Sequence, residues 1–153
     1  MSADRRPAQS FRELLVWQKA HRFVLAIYQF TSELPRQEMY GLSVQMRRAA
    51  VSIPANIAEG FRKRGRPDKA RFMNMAEGSL EESRYYQLLA QDLNYGGTDD
   101  LMVMLDEISR LLHAYTAALL TPDSCLLLLH SLRQLILQRF RQPEARQKAH
   151  RVN

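Results

Sequence analysis

Apolar residues recur at alternating steps of three and four along four successive stretches of this chain, and that spacing belongs to amphipathic helices. In the first stretch they are Trp17, Ala20, Val24, Ile27, Thr31 and Leu34, predicting a helix over 13–34 that Pro35 stops. A second line, Val16, Phe23 and Phe30, repeats every seven residues on another face. A helix with two apolar faces needs two packing partners. We expect its own bundle to supply one and another subunit the other. The second stretch begins near Tyr40-Gly41-Leu42, and Leu42, Met46, Ala49, Ile53 and Ile57 hold helical phase straight through Pro54. Unbroken phase predicts one helix kinked at the proline, which lacks the N–H that would bond Ala50. The alternative is a separate short helix capped by Ser52.

Arg64-Gly65-Arg66-Pro67 is expected to end that element. A third helix follows over 68–93, with Phe72, Ala76, Ser79, Ser83, Tyr86, Ala90 and Leu93 as its inward stripe. After a turn at 94–97, Thr98 is expected to cap a fourth helix with Asp99 and Asp100 in its first turn. Its stripe is Leu101, Leu105, Ile108, Leu112, Tyr115 and Leu119. Thr121-Pro122-Asp123 is a further cap signal before a leucine-rich segment, 125–140. No strand-like alternation occurs. The expected fold is all-α, an antiparallel up-down four-helix bundle over 11–121. A disordered basic arm over 1–10 would precede it. An extra C-terminal helix over 122–141 and a flexible basic tail over 142–153 would follow.

Composition narrows the function classes. Hydrophobic residues are 46% of 153, enough for a core. The single cysteine, Cys125, excludes an internal disulfide and reads as a small buried hydrophobe. Residues 1–10 do not read as a signal peptide, and no apolar run approaches bilayer length, so a cytoplasmic protein with no membrane partner is expected. Segment 124–141 is amphipathic with Arg133, Arg139 and Arg141, and packing on protein is its expected role over lipid binding. None of His21, His113, His130 or His150 has a glutamate three residues before it, and no His-x-x-x-His pair or phosphate-cradling glycine loop is present. Ser52 and Ser79 have no nearby base in sequence. We expect no catalytic residue, no metal and no cofactor.

The charge is more informative. The net charge is +6, and arginine outnumbers lysine 18 to 4. Residues 60–71 hold six basic residues and one acid, residues 74–110 two basic and eight acids, and residues 129–153 six basic and one acid. Guanidinium groups bind phosphate bidentately and stack on bases. The candidate nucleic-acid contacts are Arg62, Lys63, Arg64, Arg66, Lys69 and Arg71, with Arg47 upstream. Arg47 is preferred to Arg48, which we assign to a polar line instead. Such a footprint addresses phosphates and carries no base sequence. The run could equally solubilise a turn or pair with Glu77, Glu81 and Glu82 of a neighbour.

The polar line is Gln45, Arg48, Ser52, Asn56 and Glu59, in a stretch that also holds Pro54 and Gly60. Ala49, Ala50, Ala55 and Ala58 flank it and would let another helix come close. The third helix offers small and polar positions of its own in Gly78, Ser79 and Glu82. A buried polar line is costly unless every group is satisfied, and fixes register when they are. A solvated surface face is the alternative reading.

The stretches FRELLVWQKA, IYQFTSELPRQEMYGLSVQMRRAAVSIPANIAEG and AEGSLEE resemble the four-helix bundle protein family. Its first members are encoded by intervening sequences inside bacterial large-subunit ribosomal RNA genes. A related branch is the accessory variability determinant of diversity-generating retroelements. The resemblance spans about residues 11–120, and residues 125–153 have no counterpart in it. It implies a helical bundle assembled as a ring-like homopentamer. In the retroelement branch it implies a positively charged ring that binds nucleic acid and partners a reverse transcriptase. Five copies would carry +30, the product of five and the +6 of one chain. The expectation is therefore a non-enzymatic, oligomeric nucleic-acid-binding accessory protein, with ribosomal RNA or a reverse transcriptase as partner. An oligomeric protein scaffold without a nucleic-acid ligand is the alternative.

Overall fold

The computed structural model describes residues 6–121. They form four helices, α1 (Leu15–Ser32), α2 (Leu42–Arg62), α3 (Arg66–Asp92) and α4 (Asp99–Leu120), with no strand among the described residues. Single turns of tighter helix at Phe11–Glu13 and Arg36–Glu38 precede α1 and α2. Each helix packs on its chain neighbours, and α1 also meets α4, so the four close into an up-down bundle. The extra helix and tail expected over 122–153 lie outside the described residues.

The core is the sum of the predicted stripes, corrected at two places. Ala20, Phe23, Ile27, Met46, Ile53, Ile57, Leu105, Ile108 and Leu112 are all essentially fully buried. Val16 and Phe23, read from the sequence as a second face of α1 with a packing partner of its own, are buried in this same core. Phe30 packs against it as well. With α2 on one side and α4 on the other, α1 needs a wide apolar stripe, and both lines belong to it. On α3 the buried positions are Met73, Ala76, Leu80, Ser83, Gln87 and Ala90. The expected line through Phe72, Ser79 and Tyr86 is displaced by one residue and only partly buried, and Leu93 is exposed.

Three local features set the geometry. The first is Pro54, buried inside α2, which runs unbroken across it. Burial of Pro54 along with Ala50, Ile53 and Ile57 offsets the lost backbone bond. Ser52 is consequently mid-helix and caps nothing. The second is the α2–α3 connection, only Lys63 to Gly65. α3 begins at Arg66, earlier than expected, with Pro67 in its first turn, where a missing N–H costs nothing. The third is the opposite end. There Asn94 adopts φ 57° and Gly96 φ 147°, the latter against the Phe30 ring. Tyr95 Oη donates to Glu38 Oε1 at 3.0 Å, while Glu38 Oε2 accepts the Leu42 N–H at 3.0 Å. One carboxylate thereby caps α2 and ties the α1–α2 turn to the α3–α4 turn. Thr98 is buried and its carbonyl accepts the Met102 N–H, but its hydroxyl turns to the Gln87 carbonyl instead of capping α4.

Candidate nucleic-acid interface

Six of the ten residues from Arg62 to Arg71 are cationic, and the short connection folds them onto one end of the bundle. Arg62 is the last residue of α2, Lys63 and Arg64 lie in the connection, and Arg66, Lys69 and Arg71 ride the first turns of α3. The connection can be this tight because Gly60 is buried where the two helices nearly touch. A Cβ there would lie 2.8 Å from Phe72 Cβ and 2.5 Å from Met73 Cε. The two lysines then fold back on the junction. Lys63 Nζ stands 4.6 Å from the Phe72 ring centre and 3.4 Å from Glu59 Oε1, and Lys69 Nζ stands 5.7 Å from the Phe61 ring centre. Each lysine thus covers a ring on the helix across the junction. Arg62, Arg64, Arg66 and Arg71 are exposed. The run therefore divides into lysines that brace the junction and arginines that present charge.

Arg47, expected to face phosphate, and Arg48, expected in the polar line, differ in exposure. Arg47 is half-buried, its Nε donating to Thr31 Oγ1 at 2.7 Å and its guanidinium lying 4.8 Å from the Tyr28 ring centre. Arg48 is exposed. Helical geometry turns adjacent residues about 100° apart, so one of the pair reaches α1 and the other does not.

The polar line exists in its middle only. Asn56 Nδ2 donates to the Ser52 carbonyl at 2.9 Å and lies 3.2 Å from Ser52 Oγ. Ser79 Oγ lies 3.0 Å from Ser52 Oγ across the α2–α3 seam and 3.1 Å from the Met75 carbonyl. Gln45, Arg48 and Glu59, at the ends, are exposed. Gly78 is also exposed and a Cβ there would meet nothing within 4 Å, so no close packing inside the chain requires it. Glu82 accepts the Tyr86 hydroxyl at 3.0 Å. Burial, then this acceptor, hold the Tyr86 hydroxyl above the usual tyrosine pKa, and burial does the same to Tyr115.

Sequence reasoning passed over an open groove of about 670 Å3 on the outward side of α2, lined by Val44, Arg48 and Val51 of α2, Tyr28 of α1 and Glu82 of α3. Its signal was the exposed line Val44, Val51 at a seven-residue step. Among the described residues no group of three histidine, cysteine or acidic side chains is disposed to hold a metal, and no helix is long and apolar enough to cross a membrane.

The family model described as 23S rRNA-intervening sequence protein matches residues 12–115. A crystal structure of a protein of unknown function from the S23 ribosomal protein family of Bacteroides thetaiotaomicron is 23% identical, covering 70% of this chain and 100% of that one, with a TM-score of 0.57. That likeness bears on the fold. A comparison with curated proteins gives no match.

Proposed function

The chain belongs to the 23S rRNA-intervening sequence protein family, and on that premise we propose that it is a cytoplasmic, non-enzymatic accessory protein that binds RNA through phosphate contacts at the α2–α3 junction. Arg62, Arg64 and Arg71 make those contacts, and Lys63, Arg66 and Lys69 add to the local positive field. The observation that carries the reading is the concentration of six cations on one tight junction, four of them exposed arginines. The bracing lysines hold that junction in shape before any ligand arrives. A closed homo-oligomer, a pentamer, would repeat the patch around a ring. Ribosomal RNA is the partner the family name points to, and a reverse transcriptase is the partner suggested by the retroelement branch.

The test is binding of a mixed-sequence single-stranded RNA at several salt concentrations, with light scattering to report subunit number. The triple variant Arg62→Gln, Arg64→Gln, Arg71→Gln is expected to bind all sequences more weakly. Its log–log salt slope should be shallower by about 2, since each lost contact to a single strand removes roughly 0.7. Unchanged affinity sinks the assignment. A second reading, a protein scaffold, draws on exposed apolar side chains such as Leu25 at 58% and Val103 at 65%. It requires an oligomer indifferent to RNA.

A further inference from the structure

The α2 groove has features that a phosphate patch does not need. Arg47 is held in place by Thr31 and Tyr28, so a flat cation and an aromatic ring stand paired at one side. Val44 and Val51 line it with exposed apolar surface, 38% and 41% accessible. Gln45 and Glu82 put an amide and a carboxylate within the lining, and Arg48 adds a second guanidinium. A volume near 670 Å3 lies within the roughly 300–1,000 Å3 usual for small-molecule sites. Flat cation, ring, apolar floor and a few hydrogen-bonding groups are what an unstacked base requires.

We propose that this groove receives an unstacked, amino-bearing nucleobase of single-stranded RNA, laid against the Tyr28–Arg47 pair with Glu82 accepting from its exocyclic amine. The proposal rests on the RNA-binding reading of the α2–α3 junction. Glu82 supplies the selectivity. A carboxylate accepts hydrogen bonds and cannot donate them, so it suits the exocyclic amine of cytosine, adenine or guanine, whereas uracil offers it a single ring N3–H flanked by two carbonyl oxygens that repel it. It also repels phosphate, which keeps the backbone toward Arg48. Arg62 follows Arg48 by 14 positions, which is about 21 Å along the helix axis, a span that a few nucleotides of one strand can cover.

The experiment measures affinity for oligo(C), oligo(U) and a duplex RNA of equal length, with light scattering on each variant. Oligo(C) is expected to bind more tightly than oligo(U), and both more tightly than the duplex. Tyr28→Ala should weaken oligo(C) binding about tenfold with its salt slope unchanged, because stacking is lost and no phosphate contact is. Tyr28→Phe should retain affinity, and Glu82→Ala should abolish the preference for oligo(C). If Tyr28→Ala binds normally while the triple arginine variant is impaired, the groove proposal fails and the junction reading stands. If neither variant is impaired, both fall. A Tyr28→Ala protein with fewer subunits also overturns the proposal, since the groove would then be covered by another copy of the chain.

Discussion

Gln87 sits at the centre of the bundle with no exposed surface, and neither its amide nitrogen nor its oxygen has a hydrogen-bond partner among the described residues. An unsatisfied buried amide costs about 1–3 kcal/mol, whereas an apolar side chain of similar volume carries no such penalty. Gln87→Leu is therefore expected to stabilise the fold by about 1 kcal/mol, read as a higher urea midpoint at unchanged slope. The tyrosines give a pH signature. Tyr86 is raised by burial and its bond to Glu82, and Tyr115 by burial. A raised folded-state pKa favours the neutral phenol. The stability it lends is present below the ordinary value of about 10 and is lost as pH climbs through the raised value. Absorbance titration should show a late ionising step that Tyr86→Phe reduces. Which of Arg47 and Arg48 would be tied down was not legible in the sequence. The two are chemically identical, and the answer depends on Tyr28 and Thr31 of another helix.

Among the described helices, α2 and α3 make the most extensive pairing. Gly60 permits it, the Ser52–Ser79 contact crosses it, and the two lysine–ring contacts close its end. Gly60→Ala offers a clean trial because two effects oppose. Alanine gains roughly 1 kcal/mol of helix propensity. Its Cβ would stand 2.8 Å from Phe72 Cβ, an atom next to the backbone that cannot move aside cheaply. The clash should win, leaving a net loss of about 1–2 kcal/mol in denaturant unfolding. The helices themselves were legible because their stripes keep a strict period. The α3 stripe was misread by one residue, since Phe72, Ser79 and Tyr86 lie beside Met73, Leu80 and Gln87, and a core glutamine does not look like core. The junction's brevity was also hidden. Arg64 to Pro67 has the composition of a terminator, yet proline in a first turn starts a helix as readily as it ends one.

At the scale of the whole molecule the proposed RNA contacts put the cationic junction in control of the salt response. Three arginine contacts to a single strand predict a loss of about twentyfold in affinity between 50 and 200 mM salt, measurable by fluorescence anisotropy. The fold class and the charged run were both readable from sequence. The α2 groove was not, because its walls come from three helices and its apolar floor is two valines that look incidental in a list of residues.

Glu38 carries a consequence that reaches beyond its hydrogen bonds. By joining the α1–α2 turn to the α3–α4 turn it gathers Glu33, Glu38, Asp92, Asp99 and Asp100 at the end of the bundle away from Arg62, Lys63, Arg64, Arg66, Lys69 and Arg71. The two groups are separated by the length of α2, 21 residues or about 31 Å. The described residues thus carry an excess of acid at one end of the bundle, even with Arg36 in the α1–α2 turn, and an excess of base at the other. In the field of a polyanion such a bundle experiences a torque before it experiences contact, one that turns its cationic junction foremost.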